Sequence, residues 1–261
     1  MLLIIRSIFC PTKKYFELCL ENIIETLNYF KDYNINLLFI GWISDPEYES
    51  IISNLISDFL KFNKCSYKNI DIDLWHYNFG KYKIINNFKK YIEEYSSNYI
   101  FYMDHDIKLT YKIDILNNLD NFFDNNIGLL AFNQKEDCRH QNNIYDCIMY
   151  VNNYKIAYTT EPGSIATGCF IIPNKAINII TEFQEYPVYG FDDFRLCESI
   201  LGNKLICGVF TDLYVVHPFD LIDENNVYRL WKINSIINCI ERKNLNYYQQ
   251  IQESHKFWNI N

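Results

Sequence analysis

Four short strand-like runs, residues 2–9, 35–42, 70–77 and 99–103, alternate with three longer stretches of helical periodicity along the first part of the chain. The run that opens the chain is nearly continuous in apolar residues, the mark of a strand covered on both faces. Between the runs, Phe16, Leu20, Ile23, Ile24 and Leu27 recur at helical spacing over residues 13–30, with Thr12 placed to cap them. Ser44-Asp45-Pro46 opens a second helix with Ile51, Ile52, Leu55, Ile56 and Phe59 on its apolar face. Asn78-Phe79-Gly80 turns into a third, carrying Ile84, Ile85, Phe88, Tyr91 and Ile92. Strands that alternate with helices in this way join by right-handed crossovers. The chain is therefore expected to be α/β, with a Rossmann-like, mostly parallel central sheet and helices on both faces.

Beyond residue 110 the rhythm loosens. Residues 112–123 read as helix, 127–132 as strand, and 133–160 as a polar, irregular stretch long enough to be a functional loop or lid. Residues 165–173 are strand-like, 176–185 and 192–201 helical, and 205–210 a strand with 214–217 as its continuation or partner. Residues 224–261 form an amphipathic helical tail rich in Tyr and Trp. No repeat or linker divides the chain, so residues 1–220 are expected to be one domain and 221–261 a helical extension packed on it.

With 24 Lys+Arg against 32 Asp+Glu, a net charge of −8 and no basic run, a broad surface for nucleic acid or anionic membrane is not expected. An anionic ligand must then be held by a local device such as a metal ion. No run approaches the ~20 apolar residues of a membrane span, so a soluble protein is expected. The 9 cysteines include no CxxC pair, and several sit in apolar runs, which suits reduced thiols in the cytoplasm.

Three features carry chemistry. The run Tyr99–Met103 delivers Asp104-His105-Asp106 at the carboxyl end of a buried strand, where ligands of open parallel sheets bind. Aspartates at i and i+2 on extended backbone point the same way and can face one divalent cation, although acidic residues also end strands by chance. Asp192-Asp193 follows Gly190 at a helix start, where carboxylates also serve as plain caps. His217 closes an apolar strand, a place in which a histidine can equally be structural. Cys138-Arg139-His140 with Asp146-Cys147 offers too few ligands at zinc spacing, and a substrate-covering loop is the better reading.

Taken together, these features resemble the GT-A-fold nucleotide-sugar glycosyltransferases, closest to the large family-2-like group, over about residues 1–220. The metal-binding DxD motif of that family is similar to Asp104-His105-Asp106, and its NxG…N turn to Asn78-Phe79-Gly80 with Asn86. The acceptor-side strand resembles Thr167-Gly168-Cys169-Phe170-Ile171-Ile172. The acidic helix start resembles Asp192-Asp193 with Leu196, an Asp standing in place of the usual Glu, and the late histidine resembles His217.

The resemblance implies a nucleotide-binding half over residues 1–110 and an acceptor-binding half over 111–220. It implies Asp106 and His217 as direct ligands of Mn2+, with Mg2+ a substitute, and Asp104 acting through water or on the ribose. Ser7, Phe9, Trp42, Asp45, Asn78, Gly80, Lys81, Asn86, Asp104 and His105 would line the nucleotide-sugar site, with Gly168 on the acceptor side. Lys81 reads equally as a solvated surface lysine. Asp193, with Asp192 beside it, would be the general base that deprotonates a glycan, lipid or protein hydroxyl, giving inversion. A retaining relative would use the same pair only for binding. UDP is the donor base the resemblance favours.

Two other enzyme classes fit poorly. A haloacid-dehalogenase-like phosphatase follows its DxD with a small residue and Thr/Val, whereas Ile107-Lys108 follows here. A nucleotidyltransferase would need a Gly-rich loop where Arg6-Ser7-Ile8-Phe9-Cys10-Pro11 stands. From a different class, a non-catalytic carbohydrate- or nucleotide-binding relative of the same fold is the alternative.

Overall fold

A computed structural model of the chain describes residues 1–110, 112–124, 126–135, 147–159, 165–180 and 192–217, together with Leu230 and Asn234. The elements run β1 (Leu2–Cys10), α1 (Lys13–Phe30), β2 (Asn36–Ile43), α2 (Glu47–Phe62), β3 (Asn69–Trp75), α3 (Gly80–Asn86), α4 (Phe88–Glu94) and β4 (Tyr99–Met103). A 3-10 turn (Asp114–Asn117) and α5 (Asp120–Phe123) follow, then β5 (Ile127–Lys135), β6 (Cys147–Val151), β7 (Tyr154–Thr159) and β8 (Cys169–Pro173). The last are α6 (Asn174–Ile177), α7 (Asp192–Gly202) and β9 (Ile206–Val216).

Among the described residues the strands form one sheet of nine, ordered β3-β2-β1-β4-β8-β5-β9-β7-β6. The block β3-β2-β1-β4 is parallel throughout, as the strand–helix alternation requires. β8 runs antiparallel between β4 and β5, β9 is parallel to β5, and the β6–β7 hairpin completes the far edge antiparallel to β9. Period-2 alternation splits the core into two layers. Ile4, Ile8 and Cys10 of β1 join Phe16, Cys19, Ile23 and Leu27 of α1 with Ile52 and Ile56 of α2. Leu3 and Ile5 face the other way, onto Ile84, Ile85, Phe88 and Ile92 of α3–α4 and Leu196 and Ile200 of α7.

Several expectations change. Thr12 holds the extended N-cap backbone of α1 but makes no side-chain cap bond. The single helix expected after Gly80 is two, because Asn87 leaves helical geometry and its side chain bonds to the Lys83 carbonyl at 2.6 Å, competing with the ladder. Residues 112–123 form only a 3-10 turn and the four-residue α5, separated at Asn118, a poor helix former.

The irregular stretch expected over 133–160 is partly sheet. β5 extends to Lys135, and β6 and β7 form a hairpin through Asn152-Asn153, both at positive φ (49° and 68°), as a two-residue hairpin turn demands. Residues 136–146, with Cys138, Arg139, His140 and Asp146, lie outside the described residues, as do 181–185 of the helix expected over 176–185. Apart from Leu230 and Asn234, so does the helical tail. Among the described residues no helix is long and apolar enough to cross a membrane.

Ile8 of β1 stands opposite Gly41 of β2. A Cβ on Gly41, at φ +150°, would fall 2.1 Å from the Ile8 carbonyl oxygen. Gly41→Ala is therefore expected to cost about 2–4 kcal/mol through overpacking and backbone strain. Urea denaturation of the folded variant reads this as a lowered midpoint, and an unchanged midpoint would show that the two strands can part without cost.

Candidate active site

Past Met103 the chain leaves the sheet in a turn. It is anchored where the Asp104 N–H donates to the Gly168 carbonyl (2.7 Å) and the Ile107 N–H to the Asp104 carbonyl (3.2 Å). Because this backbone turns rather than extends, the two aspartates do not share one direction. Asp104 accepts from the Tyr102 hydroxyl at 2.6 Å on one oxygen and faces the Lys81 ammonium at 3.3 Å on the other. Ser7 bonds the same Tyr102 hydroxyl from β1.

Asp106 turns toward the far half of the sheet and meets His217, with 3.1 Å between its Oδ2 and the ring Nε2. The bond is made possible by β9. Between the pairs Phe132–Phe210 and Asn133–Tyr214 its register slips, so three β9 residues lie between pairs that are adjacent on β5. The strand then returns to bridge Lys108, which donates to the Val216 carbonyl at 2.8 Å and accepts from the Val216 N–H at 3.0 Å.

His217 Nδ1 lies 3.0 Å from Gln134 Oε1. A carbonyl oxygen only accepts, so Nδ1 carries a proton, and Nε2 either donates to the carboxylate as part of an imidazolium or, on a neutral ring, turns a lone pair toward it. Two acceptors at such a distance call for a proton or a cation between them. Burial opposes charge on Asp106, but His105 and His217 beside it hold the carboxyl well below the usual range. Its Oδ1 is buried without a hydrogen-bond partner. An orphaned carboxylate oxygen beside an imidazole nitrogen fits a divalent cation that takes its remaining ligands from outside the protein. Asp104 is not part of a ready-made cage: among the described residues no three His, Cys, Asp or Glu groups are arranged to hold a metal ion.

Lys81 is no surface lysine. Gly80 starts α3 at φ 69°, and its N–H donates to Asn78 Oδ1 at 3.1 Å, a turn that aims Lys81 inward. The ammonium lies 3.3, 3.4 and 3.9 Å from Asp104, Asp192 and Asp193, and donates to the Thr167 carbonyl (2.7 Å) and hydroxyl (3.1 Å). Burial works against its charge, yet the three aspartates lift its pKa well above the ordinary lysine value. Asp193 accepts from both the N–H and the hydroxyl of Thr167. A Cβ at Gly168 would sit 2.8 Å from Gln134 Nε2 and 3.4 Å from Asp104, so any larger residue there would displace the Gln134 amide.

The nucleotide-side expectations divide. Phe9 gathers Trp42 (5.3 Å between centroids) and His105 (5.1 Å), so three of the expected residues form one aromatic group above the strand ends. Asp45 accepts the Glu47 N–H at 2.9 Å at the start of α2, and Asn86 is the last residue of α3, at the opposite end of that helix from Gly80. Sequence reasoning did not single out Tyr102, Gln134, Arg6 or Asn22. The last two were detectable as polar residues in otherwise apolar faces. A cavity of about 440 Å³ lined in part by Tyr33, Tyr99 and Lys112 lies at the other end of the sheet, away from these carboxylates.

No protein-family pattern and no curated protein sequence matches the chain. Solved structures do resemble it. The mannosyltransferase PcManGT from Pyrobaculum calidifontis, in complex with GDP-Man and Mn2+, superposes with a TM-score of 0.56 at 10% identity over 98% of this chain and 69% of that one. TarS of S. aureus gives 0.50 at 12% identity over 99% of this chain, which spans 43% of TarS. The fold is thus of the GT-A glycosyltransferase type.

Within the cluster, burial, then Asp193 and Asp104, outweigh Lys81 and raise the Asp192 carboxyl to about 6. Unfolded, it would ionise near ~4. The folded state therefore holds this proton more tightly, and the stability it contributes is lost as pH rises through about 6. Asp192→Asn should gain on the wild type by roughly 2 kcal/mol between acidic and neutral pH. Urea unfolding at both ends of that range tests it, and a constant difference would mean that Asp192 is not strained by its neighbours.

Proposed function

We propose that the protein is a glycosyltransferase that moves a sugar from a nucleotide-diphosphate sugar, a UDP-sugar by preference, to a hydroxyl on a glycan, lipid or protein, with inversion. The observation that carries this reading is the meeting of the Asp106–His217 pair and the Lys81-centred aspartates at the carboxyl end of β4, on a GT-A-type sheet.

Asp106 and His217 would hold Mn2+, or Mg2+ in its place, with Asp104 reaching it through water or contacting the ribose. When bound, the cation stabilises the charge that gathers on the departing diphosphate. Ser7, Phe9, Trp42, Asp45, Asn78, Gly80, Asn86 and His105 make the nucleotide-sugar side, with residues 1–110 as the nucleotide half. Residues 111–220, Gly168 among them, face the acceptor, and 221–261 pack as an extension. Asp193, held by Thr167, takes the acceptor's hydroxyl proton while its oxygen attacks the anomeric carbon and the bond to the diphosphate breaks. Lys81, 3.9 Å from Asp193, offers its charge to the phosphates. Seven described cysteines are free thiols, in keeping with a reducing cytoplasmic setting.

Melting the protein with Mn2+ against UDP-, GDP-, CMP- and dTDP-sugars tests the proposal. One nucleotide class should raise Tm by roughly 5 °C at a hundred times Kd, and Asp106→Ala should abolish the shift. Asp193→Asn should keep the shift and lose at least about 100-fold in transfer. No shift from any donor would instead favour a relative that keeps the fold without the chemistry.

A further inference from the structure

Along β1, alternate residues Leu2, Ile4, Ile8 and Cys10 belong to the apolar layer under α1. Arg6 stands in that same row and is 2% exposed. A guanidinium in a central strand is expensive to bury, and such a charge is retained only with partners of its own. Its charge is supported by the nearby Asp106 and Asp104 carboxylates, and its hydrogen bond goes to a backbone atom. Arg6 Nη2 donates to the carbonyl oxygen of His105 at 2.9 Å. From α1, on the face that also buries Cys19, Ile23 and Thr26, Asn22 Nδ2 donates to the same oxygen at 2.8 Å.

We propose that Arg6 and Asn22 are a positioning pair: by gripping the His105 carbonyl from two elements, they fix the peptide that joins His105 to Asp106 and so set the direction in which Asp106 meets His217. Two donors on one carbonyl leave that peptide plane little freedom to rotate. The aspartate sits one bond beyond the gripped group, outside the sheet, where no strand ladder constrains it. Groups that orient a ligand are commonly worth 10–100-fold in metal affinity. The inference rests on the reading of Asp106 and His217 as metal ligands.

The test is Mn2+ binding by the full chain, followed through the spin-resonance signal of free Mn2+, with UDP present in one series and GDP in another. Far-UV circular dichroism establishes that each variant is folded. Asn22→Ala and Arg6→Met should each weaken Mn2+ about tenfold or more. Arg6→Lys, which keeps a donor and the charge, should recover most of that loss. A residue that merely glues α1 to the sheet would lower Tm without moving the Mn2+ affinity. Should Arg6→Met fail to fold, Asn22→Ala and Arg6→Lys carry the comparison. Folded Asn22→Ala that binds Mn2+ as the wild type does, while Asp106→Ala does not, overturns the positioning role alone. A wild type that binds no better than Asp106→Ala in either series overturns the metal reading, and this inference with it.

Discussion

Asp104, Asp192 and Asp193 can share one end of a sheet because Lys81 stands among them. Its ammonium lies 3.3–3.9 Å from all three, and without it three like charges gathered in a partly buried place would repel one another. The ammonium comes from the turn after β3, the first aspartate from the end of β4 and the other two from the start of α7, so one ion cluster ties three remote segments together. The offset is incomplete. Asp192 still ionises with difficulty, while Lys81 itself is held charged. A cluster in that condition is poised to take up or release a proton, a property that serves acid–base chemistry.

Asp106 and His217, which would share the cation, pair with each other rather than with Lys81. Asp104 belongs to the lysine and Asp106 to the histidine, so the two carboxylates of one short motif serve different neighbours. Tyr102 and Ser7 brace the first, and Gln134 with the Arg6–Asn22 grip braces the second. The separation follows from the turn at His105.

The parallel block β1–β4 was legible because each strand and helix there declares its own period, and local pattern agrees with the overall fold. Element identity beyond residue 110 was harder to read. Asn152-Asn153 is a hairpin turn signal in its own right, but the polar residues around it masked strands held by pairing, β6 with β7 and β7 with β9, rather than by burial on both faces. Of the candidate site, the residue types were readable and their pairing was not. That Asp106 meets His217 depends on a slip in register between β5 and β9, which no local pattern announces. The fate of Lys81 hung on the left-handed conformation of Gly80, and the role of Arg6 on what lies across α1.

Crystals grown with Mn2+ and a nucleoside diphosphate, measured at the manganese absorption edge, would show where the cation goes. The account predicts an anomalous peak in contact with Asp106 and His217, with Lys81 still among Asp104, Asp192 and Asp193. A peak centred on the Lys81 cluster, or none beside Asp106 with the diphosphate bound, would contradict it.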